Sequence, residues 1–245
     1  MFFARKVIFC PKKQYNKAMK RFFLCVATTN FLCLSMLFMS ACNSQNVNYC
    51  DYVSEYRSEI YRAENEGYAL IATFSDREYP YAPDGVCAHK ESLVEIYLTA
   101  PDNTKNYKIS FGLPNGEVCG GDMSFDSVYA RFFYSQSLAA LDSDTINFTV
   151  SDEKDSTADV KLEAKRAKEG NELPMSEIIT KLAEQKADLF AALTKGNVFS
   201  GEITVRLVYN EKCYYYVGVT DANGETNCFL TDAYTGKILA ERKSV

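Results

Sequence analysis

The chain has 245 residues with 27 basic and 32 acidic side chains, one histidine and nine cysteines. Its first 41 residues hold seven of the basic residues and no acid, so the 204 residues from Cys42 onward carry 20 basic against 32 acidic groups, a formal charge of −12. A field of that sign repels phosphate backbones and argues against nucleic acid as a partner. One histidine and no Cys-x-x-Cys pair likewise leave no ligand set for a histidine-rich zinc site.

Phe22 to Met39 is uncharged, follows Met19-Lys20-Arg21 and leads into Ser40-Ala41-Cys42. This order of charge, apolar stretch and small residues is that of a secretory signal, expected over residues 1–41. The pattern is already complete from Met19, which makes residues 1–18 a candidate artefact of start-codon choice. Met39-Ser40-Ala41-Cys42 resembles the bacterial lipobox, with Met39 in place of the usual leucine. The resemblance implies cleavage before Cys42, acylation of its thiol and an extracytoplasmic chain held at a bacterial membrane. The alternatives are an uncleaved anchor helix, against which Thr28, Thr29 and Asn30 interrupt the span, and plain secretion. Five cysteines remain after Cys42, an odd number, so a monomer keeps at least one thiol unpaired.

Residues 42–66 are expected to form a polar tether and a short helix, because Tyr52, Val53, Tyr56, Ile60 and Tyr61 recur at helical spacing. A β-rich domain is expected over 67–164. It opens with a strand at Tyr68 to Phe74. Leu93 to Thr99 and Asn106 to Leu113 follow as a hairpin around Pro101-Asp102-Asn103. In that hairpin Val94, Ile96 and Leu98 would face Phe111, Ile109 and Tyr107, and extending the register brings Cys87 close to Cys119, the candidate disulfide. Phe125 to Leu141 is ambiguous between helix and strand. Thr145 to Val150 and Val160 to Ala164 read as strands around the acidic turn Ser151 to Thr157. Residues 165–174 are charged and end in Leu173-Pro174, the expected linker.

Over 175–245, Ser176 caps an amphipathic helix through Ile178, Ile179, Leu182, Leu189, Phe190 and Leu193, stopped near Gly196. Three strands follow, Glu202 to Tyr209, Cys213 to Thr220 and Thr226 to Thr231, giving a helix on an antiparallel meander. The fold class expected for the whole is therefore α+β. Tyr214-Tyr215-Tyr216-Val217-Gly218-Val219, an Asn-Gly turn and Asp232-Ala233-Tyr234-Thr235-Gly236-Lys237 resemble the end of a PepSY domain, over about residues 175–242. The resemblance implies a module that restrains or modulates a peptidase, here necessarily a separate chain. Asp232, Ala233, Thr235 and Gly236 carry the motif, and their expected roles are structural: Asp232 bonding nearby amides and Gly236 supplying a turn.

Catalytic constellations fail on their surroundings. Cys87-Ala88-His89 pairs a thiol with an imidazole, yet no orienting group or oxyanion site accompanies it, and a loop cysteine beside a solvated histidine is the better reading. Asp221 to Glu225 opens like a calcium loop, but its glycine is fourth rather than sixth and strands flank it, so it reads as a hairpin turn. Cys119-Gly120-Gly121-Asp122 lacks the Lys-Ser/Thr of a phosphate loop. Cys213 and Cys228 are placed too far apart along their strands to bridge. Tyr79 and Tyr81, beside Pro80 and Pro83, are recognition candidates or ordinary packing residues. The expectation is a lipid-anchored, extracytoplasmic binding or regulatory protein, not an enzyme and without metal or cofactor, whose partners are the membrane and an envelope peptidase or other protein. The alternatives are an envelope assembly component and, last, a thiol- or carboxylate-based enzyme.

Overall fold

The structure, a computed structural model, describes residues 47–78 and 89–244. Val47 to Val245 form one compact unit. After a single 3-10 turn, Tyr49–Tyr52, the chain is predominantly β. Its first half runs through β1 (Val53–Asn65), β2 (Tyr68–Glu78), β3 (Lys90–Thr99), β4 (Tyr107–Gly112), β5 (Val118–Asp122), β6 (Ser124–Asp126), β7 (Arg131–Ser137), β8 (Thr145–Asp152) and β9 (Asp155–Arg166). Two short helices follow, α1 (Met175–Gln185) and α2 (Ala187–Leu193), and then a small hairpin, β10 (Thr194–Lys195) with β11 (Val198–Phe199). The chain closes with β12 (Glu202–Asn210), β13 (Lys212–Thr220), β14 (Thr226–Asp232) and β15 (Ile238–Ser244).

Thirteen strands make one sheet, so the expected α+β division into a β-rich domain and a separate helix-on-meander is corrected. From β1 the sheet runs one way through β2, β3, β7 and β6, and the other way through β9, β8, β4 and β5. β5 and β6 are separated only by Met123, whose N–H still bonds Tyr107 O on β4. One bent segment thus passes from β4 to β7 and brings the sheet round into a nearly closed antiparallel barrel. Strands β12 to β15 join this barrel through β1, which pairs with β12 in parallel from Val53↔Ile203 to Arg57↔Arg206. Beyond that point β1 turns to β9, at Tyr61↔Arg166 and Arg62↔Lys165.

Two cores result. Leu70, Ala72 and Phe74 of β2, with Val94, Ile96 and Leu98 of β3, alternate into the barrel, where Tyr61, Phe111, Phe132 and Phe148 fill it. Aromatic pairs such as Tyr107 and Phe132, 4.8 Å between centroids and nearly perpendicular, add to the area they bury. The second core gathers Ile178, Ile179 and Leu182 of α1, Phe190 of α2, and inward residues of β12 to β14, with Val53 and Ile60 of β1.

Three local expectations are overturned. The expected helix within 42–66 is β1. Two β-bulges, between Val53 and Glu55 and between Arg57 and Glu59, shift its alternation, so that buried residues fall at 53, 54, 60, 61 and 63 and imitate a helical stripe. The expected hairpin of β3 with β4 does not form. β3 pairs with β2 and β7, and β4 with β5 and β8. Its six apolar residues nonetheless share the barrel core, since alternation fixes which face is buried but not which neighbour pairs. The expected single helix from Ser176 starts at Met175 after Pro174, without a side-chain cap, and breaks at Lys186. The ambiguous stretch 125–141 resolves into the end of β6 and β7.

Candidate functional site

Cys42 and Cys87 lie outside the described residues, as do Tyr79 and Tyr81. Cys119 is buried on β5, with its sulfur 3.7 Å from Gln136 Nε2 on β7, and is a free thiol. His89 is exposed immediately before β3. Cys213 and Cys228 are both buried and free. Their register differs by one residue from expectation, with Gly218 rather than Val217 opposite Cys228. Burial, and then the charge of Glu172, push the Cys213 thiol up to about 12, far from a nucleophile's range.

The motif after β14 is a tightly bonded turn. Asp232 Oδ1 accepts from Tyr234 N, Thr235 N and Thr235 Oγ1, and Asp232 Oδ2 pairs with Lys212 at 3.0 Å. Burial works against this carboxylate, but Lys212 and the Thr235 and Tyr234 donors outweigh it and hold its pKa below the ordinary value. Gly236 sits at φ +69°, and a Cβ there would come within 2.4 Å of Lys181 Cδ. Gln185, which the sequence did not single out, clamps this turn to α1 by donating to Gly236 O at 2.9 Å and accepting from Ile238 N at 3.2 Å. Ala233 is fully buried in the second core. The Asp221 loop is a turn, Asp221 Oδ1 accepting from Asn223 N and Glu225 N. Among the described residues no three His, Cys, Asp or Glu side chains are arranged to hold a metal ion, and no helix is long and apolar enough to cross a membrane.

No protein-family model matches this chain, and no curated protein matches it. The features that bear on function are therefore those of its own surface.

Where β1 leaves β12 for β9, the fork holds a cleft of about 320 Å³ lined by Arg62, Glu64, Lys165, Arg166 and Tyr209, with the Arg62 guanidinium 5.3 Å from the Tyr209 ring centroid. Arg166 is already engaged, bonding Leu141 O at 3.1 Å and lying 3.5 Å from Glu59, while Lys168 reaches Glu59 at 3.1 Å. That cluster ties the barrel's end to the 141–144 segment.

The more unusual surface is the face of the sheet from β12 across β1, β2 and β3 to β7, on the side away from the barrel core. The register fixes its membership: Arg206 lies beside Arg57, Arg57 opposite Ser75, Ser75 opposite Leu93, and two rows further Ile71, Tyr97 and Phe133 align. Leu93, Tyr97 and Phe133 belong to neither core. Glu55 holds Arg206 through two hydrogen bonds, 2.8 Å to Nε and 2.6 Å to Nη2, and raises its pKa. Arg77 lies 4.0 Å from Glu95. The Arg131 guanidinium is sandwiched between the rings of Tyr97, at 4.1 Å, and Tyr129, at 4.7 Å. Six buried side-chain polar atoms lack a hydrogen-bond partner among the described residues, and five are on this face: Nε of Arg57, Arg77 and Arg131, Thr73 Oγ1 and Ser75 Oγ. The sequence carried no signal for this grouping, because the arginines come from four separate strands.

Proposed function

We propose that this chain is a lipid-anchored extracytoplasmic protein that works by binding rather than by catalysis, and that the face from β12 to β7 is its binding surface. The observation that carries the reading is the concentration of buried, unpartnered polar atoms there. Buried donors and acceptors are nearly always satisfied within a folded chain, so five orphans gathered under one sheet face single it out as the part of the surface built least for the chain's own stability. The address rests on the signal-like order of residues 19–41 and on the lipobox-like Met39 to Cys42. The PepSY-like ending, with its Asp232 turn, favours an envelope peptidase as the protein whose activity such binding modulates.

The reading is tested by intact mass spectrometry of the protein extracted from its native membrane, together with the Cys42→Ser variant. A chain beginning at an acylated Cys42, and release of the variant into the soluble fraction, supports the anchor. An unprocessed N-terminus in the native protein refutes it. Added to envelope extracts, the protein should change the cleavage rate of a casein substrate, and an unchanged rate would count against the peptidase partner.

A further inference from the structure

We infer that the end of the molecule formed by the Tyr49–Tyr52 turn, α2 and the β10–β11 hairpin lies against the lipid surface, with Val198 among the headgroups. The inference rests on the reading of Cys42 as an acylated anchor and adds which part of the fold the bilayer meets.

Covalent reach sets the orientation. Val47, the first described residue, is already packed on the second core. Asn48 caps the turn that follows, its Oδ1 accepting from Cys50 N and its Nδ2 donating to Asp51 at 2.9 Å. Tyr49 is wedged against Phe190 of α2, 4.7 Å between centroids, and against Phe199 of β11 at 5.3 Å, and Tyr52 meets Phe199 at 5.3 Å as well. The point where the tether enters the folded part is therefore fixed beside α2 and β11. Only Asn43, Ser44, Gln45 and Asn46 separate Val47 from Cys42, so the Cα atoms of those two residues can be no more than about 18 Å apart. A compact unit the size of Val47 to Val245 is about 40 Å across. The tether is less than half that length, so an acylated Cys42 holds this end toward the headgroups.

The surface at this end suits that neighbour on independent grounds. Residues 187–201 carry two charged side chains, Asp188 and Lys195, among fifteen, in a chain that is 24 % charged. The exposed positions include Ala187, Ala191 and Ala192 on α2 and, on β11, Val198, which is 54 % exposed. An isolated exposed valine is ordinary on a protein surface; its place at the tethered end is what gives it a use. β10 and β11 pair only with each other, apart from the main sheet, and Val198 lies opposite Lys195, whose long side chain can reach back to a phosphate while the valine enters the apolar boundary. Tyr49 and Tyr52, half-buried behind the hairpin, are of the residue type that sits at headgroup level. Asp51 and Asp188 are exposed at the same end, so the surface does not select anionic lipid. The contact it offers is apolar, and its strength follows the apolar area it buries.

The chain contains no tryptophan, so a single introduced indole reports its own surroundings. The experiment reconstitutes the full-length, membrane-extracted protein into neutral phosphatidylcholine vesicles whose acyl chains are brominated next to the headgroup, where bromine quenches an indole on contact. Two reporters are compared: Val198→Trp, and Val128→Trp at the 82 % exposed turn between β6 and β7, with β6 five strand-to-strand steps along the sheet from β12. The expected result is at least about twofold quenching with a blue-shifted emission for Val198→Trp, and neither for Val128→Trp. Adding Ala191→Glu and Ala192→Glu to the Val198→Trp variant should remove most of that quenching while the protein still floats with the vesicles. Flotation with an unquenched Val198→Trp reporter, equal quenching of the two reporters, or quenching indifferent to the added glutamates each overturns this inference and leaves the anchor standing. A chain that mass spectrometry finds unacylated and that does not float with the vesicles overturns the anchor, and this inference with it.

Discussion

Thr73 is 4 % exposed and its hydroxyl has no partner, and Ser75, two residues along the same face, is 6 % exposed and equally unsatisfied. Each costs the protein the desolvation of a polar group with nothing in return, so Thr73→Val, which keeps the shape, should raise stability by about 1 kcal/mol in urea unfolding. A loss of stability would show that the hydroxyl has a partner in solution. Gly120 is constrained in the opposite sense. It sits at φ +142°, and a Cβ would lie 2.0 Å from Ile109 O, backbone that cannot step aside. Gly120→Ala should destabilise by more than about 3 kcal/mol or prevent folding, read as loss of the cooperative transition. Among the thiols, Cys213 is buried and shifted up to about 12, while Cys50 is only half-buried and less protected. Iodoacetamide at pH 8 should alkylate Cys50 and spare Cys213, and the reverse order by peptide mass mapping would contradict the packing around Ala167, whose carbonyl accepts from the Cys213 thiol.

At the scale of elements, the Asp232 turn couples β14, β15 and α1 through one carboxylate and one glutamine. Because the folded pKa of Asp232 is depressed, its contribution to stability is full above the ordinary carboxylate range near pH 4 and is lost as pH falls through the lower folded value. Wild-type protein should lose stability through that window, and Asp232→Asn should flatten the decline. Such a turn was legible in the sequence because Asp, Thr and Gly act on their own neighbours. The strands of the meander and the inward residues of β3 and β4 were legible for a similar reason, since alternation is a local property. What was not legible is which strand pairs with which. β3 and β4 satisfied every hairpin rule, yet β2 and β7 take β3's edges, and the choice is made by barrel closure, a property of nine strands together. In β1 the bulges disguised a strand as a helix, and no residue type announces a bulge where none of the bulged residues is glycine. The arginine face was illegible for the same cause, its members lying on separate strands whose order only the folded sheet reveals.

At the scale of the whole molecule, β1 serves both cores, with Tyr61 and Ala63 in the barrel and Val53 and Ile60 in the second core. Removing everything after residue 174 should therefore leave no independent barrel. It strips β12 from β1 and exposes Val53 and Ile60, and the fragment should be insoluble or bind the dye ANS strongly. A soluble fragment with a sharp unfolding transition would show the barrel to be self-sufficient. Arg57 of β1 and Arg206 of β12 come side by side only through this pairing, so the face that carries them exists only once both parts have assembled.

The parallel pairing of β1 with β12 has a further consequence for a chain that is made from its N-terminus. Ser54 bonds Glu202, 148 residues later, so the first strand to emerge waits for one of the last before its edge is covered. Such distant contacts close slowly, because the entropy of the intervening loop is lost before the pairing rewards it. Until β12 has been made the edge of β1 lies open to chaperones and proteases, and a chain cut short before β12 can never hide it. The strand is in effect a receipt for a complete chain, signed only when the C-terminal part has been added.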